Sequence, residues 1–138
     1  MVDRSALRRL KAKLKFITRK TIPASFDERI ARLNLVMKGW IHYFRLANMY
    51  GKLQEIDVWI RRRLRRCIWH DWKKPNRKMK NLIRLGISPG MAYAWSRTRK
   101  GGWAVACSPI LGTPISLDRL GRRGYVSMPS YYLKLTRG

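Results

Sequence analysis

Apolar residues recur along this chain at helical spacing. Leu7, Leu10, Leu14 and Ile17 follow one another at steps of three, four and three, predicting a helix over about residues 4–20 with one apolar face. Arg8, Lys15 and Arg19 lie on its flank, with Arg9, Phe16 and Lys20 behind. Thr21-Ile22-Pro23 should break it, because the residue before a proline is pushed out of helical backbone. Ser25 and Glu28 then have capping-box spacing. They open a regular helix whose buried line is Phe26, Ile30, Leu33, Met37, Trp40 and Phe44, widened by Ile41. Its back carries Leu35, Gly39 and Leu46; a glycine inside a helix marks a close approach by another element or by a ligand. The helix ends near Asn48 to Gly51.

The third helix organises the rest. Leu53, Ile56, Ile60, Leu64 and Cys67 fall within roughly 40° of one line on a helical wheel, and Pro75 stops the run. Arg61, Arg62, Arg65, Trp69 and Trp72 fall on the far side. Three amphipathic helices with short connections predict an all-α fold, a three-helix antiparallel bundle followed by short helices and loops. Its expected core is Leu10, Leu14, Phe26, Ile30, Leu33, Met37, Trp40, Phe44, Ile56, Ile60 and Leu64.

Beyond Pro75 the elements shorten. Lys78 to Leu85 reads as a helix closed by Gly86, and Ser88-Pro89 opens another through about Arg97. Arg97 to Trp103 reads as a basic, glycine-hinged loop able to follow a phosphate chain, or equally as a plain surface loop. Ser108-Pro109 and Thr113-Pro114 punctuate the next stretch. Ser116 caps a short helix with Leu117 and Leu120, closed near Gly121 to Gly124, and an aromatic tail finishes the chain.

Charge changes the picture from fold to partner. Lys and Arg number 32 against 7 Asp and Glu, a net charge of +25. The chain cannot neutralise its own arginines, so a polyanion, nucleic acid before an anionic membrane surface, is the expected partner. With 46% hydrophobic residues and six Trp, this is a folded module and not a basic tail. Arginine forks pair with phosphate and tryptophans offer stacking surfaces, so the far side of the third helix fits RNA. The alternatives are a solvated face for the arginines and packing under the rest of the chain for the tryptophans. The expected contacts are Arg61, Arg62, Arg65, Arg66, Trp69, Trp72, Lys73, Lys74, Arg97, Arg99 and Lys100, with Lys15, Arg19 and Arg45 secondary. Reversing charge at Arg62 and Arg65 is expected to weaken RNA binding with little loss of helicity.

His42, Cys67, His70 and Cys107 lack zinc-ligand spacing, and no metal or cofactor is expected. Two cysteines allow one bridge at most, and a reduced, cytosolic protein is the simpler expectation, an organelle being left open. No apolar run is long enough to span a bilayer. The basic N-terminus has the look of a transit peptide, but its apolar spacing continues into the bundle pattern and reads as a structural helix.

The segments Gly39 to Arg45, Trp59 to Pro75, Asn81 to Ile87 and Arg99 to Trp103 stand in an order that resembles the motifs of group II intron maturases, the intron-encoded reverse transcriptases. Gly39-Trp40-Ile41-His42-Tyr43-Phe44-Arg45 resembles their G-W-x-x-Y-F element. Trp59 to Arg65, Ile68-Trp69 and Trp72-Lys73-Lys74-Pro75 continue it in order. Asn81 to Ile87 is similar to N-L-I-K-L-G-I, and Arg99-Lys100-Gly101-Gly102-Trp103 to S-R-K-G-x-W, with Thr98 where Ser is usual. Ser108 to Leu111 and Gly124 to Ser127 fit the family's tail.

The resemblance covers only the C-terminal part of such a protein. It implies a thumb or maturase-specific domain X at residues 1–75 and a segment like the family's DNA-binding region at 76–138. The polymerase palm and its Y-x-D-D carboxylates have no counterpart here, and two histidines do not make a nuclease constellation. The implied role is therefore non-catalytic: binding structured intron RNA, stabilising it for splicing and, in a full-length protein, gripping a template–primer duplex of RNA and DNA. A second reading is a subunit that completes a reverse transcriptase in trans, with Leu35, Gly39 and Leu46 docking a palm chain. A third, from charge alone, is a general basic nucleic-acid-binding protein. A membrane-active cationic helix is the weakest, because the apolar stripes look made for one another.

Overall fold

The computed structural model describes residues 4–21 and 24–137. Helices account for its regular structure, with no strand among the described residues. In chain order they are α1 (Arg4–Ile17), α2 (Phe26–Tyr43), α3 (Tyr50–Trp72), α4 (Pro75–Arg84), α5 (Pro89–Ser96), α6 (Gly102–Ala106), α7 (Pro109–Gly112), α8 (Leu117–Arg122) and α9 (Met128–Arg137). The fold is all-α, as the spacing of apolar residues requires.

Local signals set the boundaries. The extended backbone of Ser25 lets its Oγ accept the Glu28 N–H at 3.1 Å, which starts α2. Pro75 both forbids continuation of α3 and supplies the first residue of α4, so α4 begins three residues earlier than expected. Gly86 and Gly124 take φ of +102° and +101°. Behind each, the next N–H reaches back across the helix end, Ile87 to Leu82 O and Tyr125 to Leu120 O, both 3.0 Å. The proposed break at Thr21-Ile22-Pro23 falls partly on Ile22 and Pro23, which lie outside the described residues.

Side-chain links fix the directions. Lys11 Nζ lies 5.8 Å from the Trp59 ring centroid, and Arg63 Nη2 donates to Lys15 O at 3.0 Å, so α1 runs alongside α3 in the same sense. Arg29 at the start of α2 donates to Cys67 Sγ near the end of α3 at 2.9 Å, so α2 runs the other way. The expected core residues Leu10, Leu14, Ile30, Leu33, Met37, Ile56, Ile60 and Leu64 are buried, with Phe26, Trp40 and Phe44 packed against them at its edge.

The core does not stop at the three long helices. Leu82, Leu111, Leu120, Tyr125 and Met128 belong to the same buried cluster. α6 packs against α3, and α9 packs against both α2 and α3. Polar links hold this second half in place. The Asn34 amide donates to Gly124 O at 2.7 Å and accepts from Val126 N–H at 3.2 Å. Tyr125 Oη donates to Asp57 Oδ1, and Tyr132 Oη to Ala47 O at 2.8 Å. The aromatic tail expected merely to finish the chain is thus a helix whose tyrosines and Met128 complete the core.

Candidate nucleic-acid interface

The arginines on the outer side of α3 have four different environments. Arg62 is exposed. Arg61 Nε lies 3.2 Å from Asp57 Oδ2, so its charge is partly spent inside the fold. Arg65 Nε donates to Ile115 O at 2.7 Å and thereby holds the segment after α7. Its burial, together with the charges of Arg61 and Arg62, lowers its pKa from the ordinary arginine value. Arg66 lies partly buried with its Nε enclosed and without a hydrogen-bond partner among the described residues. Only Arg62 is free in the way the sequence suggested for all four, and reversal of Arg65 would also break a tertiary hydrogen bond.

The tryptophans correct the expectation of an arginine face interleaved with stacking surfaces. Trp69 and Trp72 are 5% and 8% exposed and belong to the core. Their ring centroids are 6.1 Å apart, and the Lys78 ammonium of α4 sits 4.3 Å from the Trp69 ring. A large apolar side chain is buried wherever later elements can cover it, and here α4 folds back over the end of α3. Neither indole offers a free face to a base.

The remaining predicted cations divide by place. Lys73 and Lys74 stand exposed in the turn between α3 and α4, and Arg99 and Lys100 in the loop before α6. Arg97 is stacked over the Tyr93 ring at 3.9 Å and donates to Asn76 Oδ1 at 3.2 Å, which ties α5 to α4. Arg66, Lys73 and Lys100 border one cleft. Lys15 and Arg19 are exposed on and just beyond α1, and Arg45 donates to His42 O at 2.9 Å beyond α2. These three do not line that cleft.

Two arginines that the sequence reading did not single out do structural work. Arg63 Nε donates to Thr18 Oγ1 at 2.6 Å and its Nη2 to Lys15 O. Arg29 Nη1 donates to Arg19 O at 2.6 Å. Both guanidinium groups are buried and close the carbonyl end of α1, where cations are favoured. The signal for Arg63 was present: it stands three residues after Ile60 and four before Cys67, on the buried stripe. Burial foremost pushes the Cys67 thiol up, and its Sγ donates to Thr18 O at 3.1 Å; Cys107 is exposed, and both cysteines are free.

On the back of α2, Leu35 and Tyr43 are 76% and 79% exposed with Gly39 exposed between them, and Leu46, 94% exposed, lies in the turn beyond the helix, which ends at Tyr43 and not near Asn48 as expected. No described helix is long and apolar enough to cross a membrane.

Fold and charge together define a class, a strongly basic all-α domain. The chain belongs to the family of the group II intron maturase-specific domain, whose pattern matches residues 7–86, more than half of its length. The match crosses Pro75 and takes in all of α4. Membership ties the chain to group II intron splicing through the maturase-specific region, not through a polymerase domain. No curated protein matches the chain.

Proposed function

We propose that this chain is the non-catalytic, RNA-binding part of a group II intron maturase. It holds folded intron RNA in its active shape while the RNA performs the splicing chemistry. The observation that carries this reading is the set Arg62, Lys73, Lys74, Arg99 and Lys100. All are exposed, and none is in an ion pair among the described residues. Unpaired cations on α3, in the turn after it and in the loop before α6 are the electrostatic footprint of a phosphate backbone. In a full-length protein, residues 1–75 would serve as thumb and domain X on a template–primer duplex, and residues 76–138 as the DNA-binding-like part.

The direct test is a double charge reversal that leaves tertiary hydrogen bonds intact. Arg62→Glu with Arg99→Glu is expected to weaken binding to group II intron RNA by at least about tenfold, with helicity unchanged. Unchanged affinity would remove this face as the site.

The exposed stripe of Leu35, Gly39, Tyr43 and Leu46 favours a second reading, in which the chain docks a reverse-transcriptase palm supplied by another polypeptide. Co-purification with a palm-bearing chain, abolished by Leu46→Asp, tests it. A chain that stays monomeric beside a palm-bearing partner contradicts it.

A further inference from the structure

One cleft lies where five parts of the chain meet. Lys20 enters from beyond α1, Arg66 and His70 from the last turns of α3, Lys73 from the turn that follows, Lys78 from α4, and Lys100 from the loop before α6. No carboxylate lines it among the described residues. Like charges so gathered repel one another, and no carboxylate among the lining residues offsets them.

Four details make this more than a crowd of lysines in a basic protein. The Arg66 Nε is enclosed yet without a hydrogen-bond partner among the described residues, an arrangement that costs free energy until an acceptor arrives. Lys78 is partly desolvated against the Trp69 ring, and this burial lowers its pKa from the ordinary lysine value. Lys73 has φ 59° and ψ −76°, and the Lys74 N–H donates back to Trp72 O at 2.8 Å. That is a γ-turn of the strained, positive-φ kind, at a residue with a long side chain, and such strain gathers at binding sites. Finally, the backbone at Gly102 lies directly on the arginine stem, since a Cβ there would sit 3.4 Å from Arg66 Cγ.

We propose that this cleft is a built site for one phosphate group of an RNA strand, held by Arg66, Lys73, Lys78 and Lys100 with Lys20 and His70 at its rim. The assignment rests on the RNA-binding reading and narrows it. The exposed cations supply a diffuse field, whereas this cleft fixes one phosphodiester in one place and so sets the register of the RNA on the protein. The Arg66 guanidinium supplies directed N–H donors, for which a phosphate oxygen is the acceptor, and the ammonium groups supply charge from several sides.

The experiment compares two variants that lose equal charge in the full chain. Lys78→Gln with Lys100→Gln removes two positive charges at the cleft. Lys13→Gln with Lys134→Gln removes two from exposed positions elsewhere. Circular dichroism and melting establish that both fold. Group II intron RNA should bind the cleft variant about tenfold or more weaker than the control variant, at equal salt. Equal losses overturn the proposal while leaving general RNA binding standing. A second arm follows the Arg66 Nε–H resonance by NMR in titrations with inorganic phosphate and with a short single-stranded RNA. Movement with the RNA at concentrations where inorganic phosphate moves it little supports a phosphodiester of a strand. Movement with phosphate alone, or with neither, overturns it. This arm does not need intron-specific binding, so failure of the broader reading is recognised separately.

Discussion

At the scale of single residues, the fold uses charged side chains as tertiary fasteners, and two of these give direct tests. Arg63 satisfies the end of α1 through Thr18 Oγ1 and the Lys15 carbonyl. Arg63→Ala removes the donor and leaves buried acceptors unmet, so it should cost about 2 kcal/mol or more in chemical denaturation. Tyr125 joins the C-terminal half to α3 through its hydrogen bond to Asp57, which Arg61 also approaches. Tyr125→Phe leaves the carboxylate short of one donor and should cost about 1.5–3 kcal/mol at neutral pH. Burial first, then the Asp57 charge and the hydrogen bond to it, push the Tyr125 pKa well above its ordinary value. The folded state therefore favours the protonated phenol. Its stabilising contribution is complete below the ordinary tyrosine value of about 10 and is lost as pH rises beyond it. The stability difference between the natural chain and Tyr125→Phe should accordingly be constant from neutral pH to about 9 and decline above 10. A difference that grows with alkalinity would contradict this account.

At the scale of elements, the decisive pieces are α9 and the end of α3. Met128 is fully buried where α9 packs against α2 and α3. Met128→Ala should lower stability by about 2–5 kcal/mol, as for other large-to-small core changes. A loss within about 0.5 kcal/mol would mean that α9 is not docked. What the sequence made legible follows from this division. Periodicity located α1, α2 and the inner face of α3, because those stripes are local and regular. Gly86, Ser116 and Gly124 marked helix ends through local chemistry, and each acts there. Local pattern could not reveal which outer surface a later element would cover. Trp69 and Trp72 sit away from the apolar stripe of α3, so only the return of later elements, α4 and α6 among them, places them inside. Arg65 likewise reads as a solvated arginine until Ile115, fifty residues on, offers it a carbonyl. The cleft that gathers Lys20, Lys78 and Lys100 has the same character: its members are distant in sequence and share no spacing.

At the scale of the whole molecule, a net charge of +25 on 138 residues sets both stability and partner. Membership in the maturase-specific family supplies the context of group II intron splicing. The central claim is that the chain reads the architecture of intron RNA and does not merely adhere to polyanions. A polycation loses affinity for any nucleic acid as salt rises, with a log–log slope of about −0.7 to −0.9 per phosphate neutralised. Field effects are screened over about 10 Å at 0.1 M salt, whereas directed contacts persist. The most direct measurement is a binding titration across salt concentrations with a group II intron RNA and with a length-matched unrelated RNA duplex. The account predicts that the intron RNA keeps a preference of about tenfold or more at high salt, about 1.4 kcal/mol. Two curves that fall together and meet would contradict it, leaving a basic clamp without recognition of the intron.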